Sequence, residues 1–276
     1  MINAIFSRGR RNLTQSWLWS GRIPLGGIVY LIGESGAGKS ILTLDFATRV
    51  TTGRRWPDGA RCPMGNVLLL TREDDAASVI RPRLEAMAAN VQNVALIQHV
   101  VSRTANAGRA ITLADVDAIE RAVRTVGNVR LVIVDPIYDF LPPGVDVYTA
   151  QDLGDILKPI ESLAKRHQLT VLITAFVAYF SMAGWSLAEC YLVRLGHRGQ
   201  CFWGVNAQRR IMFTSDYRHL NVDESPLFFS IVGNPARVQW ADRPGSRIVP
   251  MDDRGDWMMR GGGWMMRGDG WMMKLP

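Results

Sequence analysis

Short apolar runs alternate with amphipathic stretches along the first two thirds of the chain. Four runs predict buried strands at 28–32, 67–71, 130–135 and 169–175. Between them, apolar residues recur at helical spacing. The predicted helices cover 41–47, 76–89, 113–126 and 152–167, and a further short strand is predicted at 94–98. Alternation of strands and helices is typical of a mainly parallel sheet flanked by helices, so we predict an α/β fold.

A Gly-rich segment connects the first predicted strand to the first predicted helix. It matches the phosphate-binding loop pattern G-x-x-x-x-G-K-[ST] at every position, reading Gly33-Glu34-Ser35-Gly36-Ala37-Gly38-Lys39-Ser40. In such a loop, glycines let backbone N–H groups curl around the β-phosphate, and the helix N-terminus adds partial positive charge. A chance Gly-rich turn explains this complete motif poorly. The segment from Gly33 to Ile41 is therefore predicted to bind a nucleoside triphosphate.

Two side chains of this motif have separate predicted roles. Lys39 is expected to reach the β- and γ-phosphates, and the Ser40 hydroxyl is expected to hold Mg²⁺. Asp135, which ends the apolar run 130–135, is expected to be the second residue that holds this Mg²⁺. In the alternative, Asp135 is an ordinary turn residue before Pro136, an interpretation that the complete phosphate loop makes the weaker one.

Acidic residues also follow the strand predicted at 67–71. A carboxylate beside the γ-phosphate can polarise the attacking water, and Glu73 is the candidate for this catalytic role. Asp74 and Asp75 are interpreted as the start of the following helix, because acids favour that end. The same helix-start role is the alternative for Glu73.

Three segments around these motifs resemble a known family. They read Trp17-Leu18-Trp19-Ser20-Gly21-Arg22-Ile23-Pro24-Leu25-Gly26, Ala47-Thr48-Arg49-Val50-Thr51-Thr52-Gly53-Arg54-Arg55-Trp56-Pro57-Asp58-Gly59 and Leu70-Thr71-Arg72-Glu73-Asp74-Asp75. Together they resemble the RecA-like ATPases of the RepA type, found in plasmid, phage and bacterial replication proteins. The resemblance covers roughly residues 17–175 and is weaker from about 205 to 240.

The resemblance implies a RecA-like P-loop NTPase fold, a twisted and mainly parallel sheet flanked by helices. It implies ATP with Mg²⁺, bound at the subunit interfaces of a homo-oligomer. The best-studied relatives are hexameric DNA helicases. By resemblance, Glu73 matches the catalytic glutamate, Asp135 matches the Walker B aspartate, and 135–141 faces the central channel. The expected protein is a helicase-like ATPase acting on DNA, with single-stranded DNA as partner, in replication or mobile-element maintenance.

One departure from the family pattern follows the strand predicted at 169–175. The family usually has a polar, often histidine-containing stretch there, which senses the γ-phosphate and couples it to DNA. Phe176 stands about where that sensor is expected, and Thr174 is the only nearby polar substitute. An apolar side chain cannot report phosphate loss through a hydrogen bond. The alternative function is therefore a nucleotide-dependent DNA- or protein-binding regulator without helicase activity, or a degenerate ATPase.

The family also inserts a basic residue into the ATP site of the neighbouring subunit. Arg209, Arg210 and Arg218 lie in the corresponding region, and Arg218 is the favoured candidate, although the usual lysine-rich pattern is not well reproduced. Where such a basic residue, called an arginine finger, is present, it raises the rate of hydrolysis by ~10³–10⁵-fold. The alternative is an ordinary surface arginine.

The length of 276 residues suits one large α/β domain with short extensions. We predict a basic arm over 1–16, an ATPase domain over 17–250 and a low-complexity tail over 251–276. The cysteines show no metal-ligand spacing and no secretory signal is apparent, so we expect reduced thiols in a cytoplasmic protein. The cysteines are Cys62, Cys190 and Cys201. Apart from Mg²⁺ carried with the nucleotide, no metal site is predicted.

Charge and repetition mark the two ends of the chain. The formal net charge is +7, and the first 22 residues contain four arginines and no acid. This arm either contacts nucleic-acid phosphates or is simply a solvated terminus, and a transit peptide is a weaker alternative. In the tail, Trp-Met-Met recurs every seven residues from Trp257. It either stacks on single-stranded nucleic acid, binds a partner or membrane surface, or has no selected role.

An uncharged stretch follows the helix predicted at 152–167. It runs from Thr170 to Ala188, and its 19 residues could just span a bilayer. Because Thr170 begins the expected core strand, we predict a buried strand followed by a turn, and no membrane partner.

Overall fold

The structure is a computed structural model. It describes residues 16–33, 35–101, 108–145, 150–176, 181–182, 185–186, 201–205, 211–216, 225, 227–241, 264–266 and 272–274. In chain order the elements are β1 (Trp17–Trp19), β2 (Ile23–Pro24), β3 (Gly27–Gly33), α1 (Lys39–Thr52), β4 (Asn66–Thr71), α2 (Arg81–Ala86), β5 (Val94–Leu96), β6 (His99–Val101), β7 (Gly108–Ala110), α3 (Val116–Val126), β8 (Val129–Asp135), α4 (Ala150–His167), β9 (Thr170–Phe176), β10 (Ser181–Met182), β11 (Trp185–Ser186), β12 (Cys201–Val205), β13 (Ile211–Asp216), β14 (Leu227–Val232), β15 (Arg237–Ala241), β16 (Trp264–Met266) and β17 (Met272–Lys274). Short helical turns cover Ala76–Ile80, Val91–Asn93 and Ile137–Phe140.

The apolar runs assemble into one large twisted sheet. Within the described part of the chain its strand order is β15–β14–β13–β12–β3–β9–β8–β4–β5. From β12 to β5 all neighbours pair in parallel, and β13 to β15 are added antiparallel. Because parallel strands end at one edge of a sheet, the segments that follow β3, β4, β8 and β9 lie side by side.

Both faces of the parallel strands are covered by helices. Successive strand residues point to opposite faces, so β3 contributes Leu31 to one core and Tyr30 to the other. The first core includes residues of α1 and α2, and the second includes residues of α3 and α4. This two-sided burial explains why the strands read as continuous apolar runs.

The predicted α/β fold is confirmed, and the four core strands lie within two residues of their predicted bounds. The helix predicted at 76–89 is wrong in form. It begins as a π-helical turn over Ala76–Ile80, whose N-cap Asp75 accepts backbone N–H groups, and α2 ends at Ala86. Pro82 lacks an N–H, which interrupts the hydrogen bonding of a single long helix.

The helix predicted at 113–126 starts three residues later, at Val116. The Asp115 carboxylate accepts the backbone N–H of Thr112 at 2.9 Å, which holds the preceding residues in a turn. The Leu113 N–H donates to the carbonyl of Phe140 at 2.7 Å instead of entering a helix. Such a local hydrogen bond from the backbone to an aspartate side chain competes with helix formation.

An aromatic cluster joins the first hairpin to α1 and β15. Trp19 stacks on Trp56 with ring centroids 4.3 Å apart, and Trp240 lies against Phe46. The Trp56 indole N–H donates to the carbonyl of Leu18 at 2.9 Å. Two of the segments that carry the family resemblance, 17–26 and 47–59, therefore pack directly on each other.

Among the described residues, the other pairings are four small hairpins, β1–β2, β6–β7, β10–β11 and β16–β17. The last joins two of the Trp-Met-Met repeats, and the roles predicted for the tail stay untested. The uncharged stretch from Thr170 begins as the buried strand β9, as predicted. Among the described helices, none has the length and apolar character needed to cross a membrane.

Candidate functional site

The phosphate loop lies between the end of β3 and the start of α1. Gly33 ends β3 against β12, where a Cβ atom would approach the carbonyl oxygen of Val205 to 2.4 Å, so only glycine fits. Gly38 caps α1 with φ of 94°, in the left-handed region that glycine adopts readily. Of the predicted nucleotide-binding segment, Glu34 lies outside the described residues. The other residues form the turn that leads into α1, and the N-terminus of α1 faces the carboxyl edge of the sheet.

Lys39, the first residue of α1, is directed back toward the strand ends. Its side chain is buried, and Nζ donates to the carbonyl oxygen of Gly33 at 2.8 Å. Nζ also lies 4.4 Å from the centroid of the Phe176 ring. A buried ammonium group is stable only with such partners, and this position suits a lysine that engages phosphates.

Asp135 lies at the end of β8, beside the hydroxyl groups of Thr174, Ser40 and Thr43. Its carboxylate accepts hydrogen bonds from Thr174 and from Ser40. Burial raises its pKa, and these hydrogen bonds and the Lys39 charge oppose that rise only in part. Ser40 and Asp135, the two residues predicted to hold Mg²⁺, therefore meet directly.

The oxygen atoms at this point fit Mg²⁺. A hydroxyl and a carboxylate are hard ligands, and Mg²⁺ beside nucleotide phosphates usually takes only one or two protein groups and keeps several waters. In the described ranges, no cluster of three or more histidine, cysteine, aspartate or glutamate side chains able to hold a metal occurs.

Glu73 follows β4, whose last residue Thr71 is the register partner of Asp135 in the neighbouring strand. The side chain is exposed. Partial burial raises the pKa of Glu73, the carboxylates of Asp135, Asp139 and Asp74 raise it further, and Lys39 opposes them. The candidate base thus shares one electrostatic environment with Lys39 and Asp135, at the open edge of the sheet.

The neighbouring acids behave as the sequence predicts for a helix start. Asp75 accepts the N–H groups of Ala77 and Ser78, and these hydrogen bonds lower its pKa. Asp74 forms an ion pair with Arg83 at 2.5 Å. Glu73 is distinguished by the effects of Lys39, Asp135 and Asp139 on its pKa.

Arg72 is a functional candidate that the sequence analysis missed. Its guanidinium donates to the carbonyl oxygens of Asp139 and Ile111 and lies 4.5 Å from the ring centroid of Phe140. It thereby ties the segment before Glu73 to the turn after β8. The sequence feature that could have identified Arg72 is its position directly after a buried strand.

The arginines predicted to act across a subunit interface, Arg209, Arg210 and Arg218, lie outside the described residues. The same holds for most of the basic arm. Arg218 therefore stays a prediction.

Replacing Thr174 with Val is expected to lower the free energy of unfolding by ~1–3 kcal/mol, because a buried carboxylate loses a donor at nearly constant side-chain volume. The loss also raises the pKa of Asp135, since the Thr174 hydrogen bond lowers it. Urea unfolding at neutral pH measures the first effect. A Thr43→Val variant is the matched control, because its hydroxyl lies 3.5 Å from the same carboxylate but donates its short hydrogen bond, 2.8 Å, to the carbonyl of Ser40. Equal losses in both variants would contradict this expectation.

Comparisons with known proteins agree with this geometry. A family described as "AAA domain" matches residues 6–178. The crystal structure of the KaiC-like protein PH0186 from the hyperthermophilic archaeon Pyrococcus horikoshii OT3 is similar, with a TM-score of 0.51 and 14% identity. The match covers 80% of this chain and 93% of that chain. At this identity it shows the fold alone, which is that of a RecA-like P-loop NTPase. No curated protein sequence matches the chain.

Proposed function

Because the chain belongs to the AAA domain family, we propose that it binds ATP with Mg²⁺ and hydrolyses it at the carboxyl ends of β3, β4 and β8. The observation that carries this proposal is the convergence of Lys39, Asp135 and Glu73, from three different strands or strand–helix junctions, on one edge of the sheet. A phosphoryl-transfer site needs little more than such positioning and charge.

Each residue has a distinct role in this proposal. The backbone N–H groups of 33–41 hold the phosphates, Lys39 binds the β- and γ-phosphates, and Ser40 with Asp135 holds Mg²⁺. Mg²⁺ supplies charge neutralisation on the phosphate oxygens when it is bound. Glu73 orients and deprotonates the attacking water, for which its raised pKa is suitable because a base needs proton affinity near the working pH.

DNA is the proposed partner of the ATPase. The support is the resemblance of residues 17–175 to RepA-type replication ATPases, together with the net charge of +7. Positive charge favours phosphate contacts that are independent of sequence and weaken with salt. We further propose a homo-oligomeric ring, the assembly that is hexameric in the best-studied relatives it resembles, with Arg218 completing the neighbouring ATP site. The ATPase domain would span 17–250, with the arm and the tail as extensions.

A specific observation favours a second candidate function, a nucleotide-dependent regulator without helicase activity. Phe176 occupies the end of β9, beside the phosphate loop, and contacts Lys39 through its ring. A phenyl ring cannot donate or accept the hydrogen bond of the usual polar sensor. ATP binding in this chain is therefore better supported than coupling of hydrolysis to movement along DNA.

ATP hydrolysis by the purified protein, with and without single-stranded DNA, tests the two candidates. The expected result is turnover that requires Mg²⁺, rises with DNA and loses its stimulation as salt increases. Turnover that DNA does not change would favour the regulator. ATP binding without any turnover would contradict the ATPase proposal while leaving the nucleotide site in place.

A further inference from the structure

Three stacked side chains join the phosphate loop to the turn after Asp135. The Lys39 ammonium lies 4.4 Å from the Phe176 ring centroid. The Phe176 ring stacks on the Tyr138 ring with centroids 6.0 Å apart and an interplanar angle of 11°, and the Tyr138 hydroxyl donates to the Phe176 carbonyl at 3.2 Å. We call Lys39, Phe176 and Tyr138 the Lys39 stack.

The first contact of the stack depends on the charge of Lys39. An ammonium group is attracted to the negative face of an aromatic ring, and the attraction is larger where water is excluded. Lys39 is only 4% exposed, so its contact with Phe176 belongs to the stronger class. Phosphate oxygens that hydrogen bond to the same ammonium neutralise its charge and compete with the ring. Phosphate binding therefore weakens the hold of Lys39 on Phe176.

Tyr138, at the far end of the stack, lies in a turn that contacts Arg72, the residue directly before the candidate base Glu73. Tyr138 belongs to the helical turn Ile137–Phe140. Arg72 holds the other side of this turn, donating to the Asp139 carbonyl and lying over the Phe140 ring. Since Glu73 directly follows Arg72, a change in the turn reaches the residue proposed to activate water.

We propose that Phe176 is a positioning residue that couples the Lys39 ammonium to the turn Ile137–Phe140 through Tyr138. The inference rests on the proposed ATP site and deepens it. Phe176 responds to whether phosphate engages the Lys39 ammonium, whereas a polar sensor forms a hydrogen bond with the phosphate directly. The aromatic residue at the sensor position then has a role of its own and is more than a lost hydrogen-bonding group.

Amide hydrogen exchange over 137–141, with and without a slowly hydrolysed ATP analogue, tests the coupling. The wild-type chain is expected to change its exchange in this segment by ~3–30-fold when the analogue binds, up to the size of one cation–π contact from which water is excluded. Phe176→Tyr keeps the ring face and should retain the change. Phe176→Leu keeps an apolar side chain without the ring face, so it should lose the change, and because the ring no longer competes for Lys39 it should bind the analogue ~3–30-fold more tightly.

Tyr138→Leu supplies a second variant that leaves the Lys39–Phe176 contact intact. It should bind the analogue normally and also lose the change over 137–141. Exchange in α3, which lies away from the stack, reports whether each variant is folded. Full coupling in Phe176→Leu or in Tyr138→Leu would overturn the inference. Binding to the wild-type chain with no change over 137–141 would overturn it as well, leaving the ATP site intact, whereas absence of binding would overturn both.

Discussion

Replacing Lys39 with Ala is expected to weaken ATP binding by roughly 10²-fold, because hydrogen bonds to charged groups contribute about 1.5–3 kcal/mol each. The substitution removes the only cationic side chain within the described part of the loop, and this side chain is buried. It also acts on the proposed metal site. Lys39 lowers the pKa of Asp135, so its loss raises that pKa further and lets protons compete with Mg²⁺ at higher pH.

Titration with a fluorescent ATP analogue in the presence of Mg²⁺ measures this effect. Lys158→Ala is the matched control, because Lys158 is an exposed lysine on α4, on the other side of the sheet from α1. The control should bind the analogue like the wild-type chain. Thermal unfolding of both variants separates lost binding from lost folding. Unchanged affinity in Lys39→Ala would remove the phosphate loop from the proposed function.

The phosphate loop and its two acidic neighbours could be predicted because each rests on local patterns. A complete phosphate-loop motif between a strand and a helix predicts, within a few residues, where Lys39 lies in the fold. The meeting of Ser40 with Asp135, and the position of Glu73 at the same edge, follow from the parallel sheet, since strands of one direction end at one edge. Neither step requires knowledge of side-chain packing.

The features that were missed depend on contacts between residues far apart in sequence. The Lys39 stack joins α1, β9 and the turn after β8, and nothing in the separate segments indicates that their side chains meet. Phe176 could be recognised as unusual at its position but not as a partner of Lys39. The hairpin-like extension β13–β15 was also not predicted, because no strands were assigned after the predicted strand 169–175.

Errors in helix bounds have local causes that periodicity does not detect. The 76–89 stretch has helical spacing, yet Asp75 captures N–H groups and Pro82 restarts the hydrogen bonding. The apolar residue Leu113 fits the helical stripe of α3, but it packs in the core from the turn that precedes the helix. Capping side chains and proline therefore set the bounds of these helices, which the apolar pattern alone does not determine.

Replacing Glu73 with Gln is expected to reduce ATP turnover by ~10²–10⁴-fold while ATP binding is kept, because an amide cannot accept the proton of the attacking water. The side chain is exposed and similar in size to glutamine, so folding should not change. Glu85→Gln is the matched control, since it makes the same chemical change in an exposed ion pair with Arg81 on α2. Normal turnover in Glu73→Gln would leave only its helix-start role.

The pH dependence of turnover distinguishes a base from a residue that merely positions substrate. Glu73 acts as a base only when deprotonated, and its raised pKa places the loss of activity at higher pH than for an ordinary glutamate. The Asp139 carboxylate contributes to that rise. Asp139→Asn keeps the backbone carbonyl that Arg72 binds but removes the charge, so the pKa of Glu73 falls. Turnover should then persist to lower pH, and an unshifted acid limb would argue that another group supplies the base.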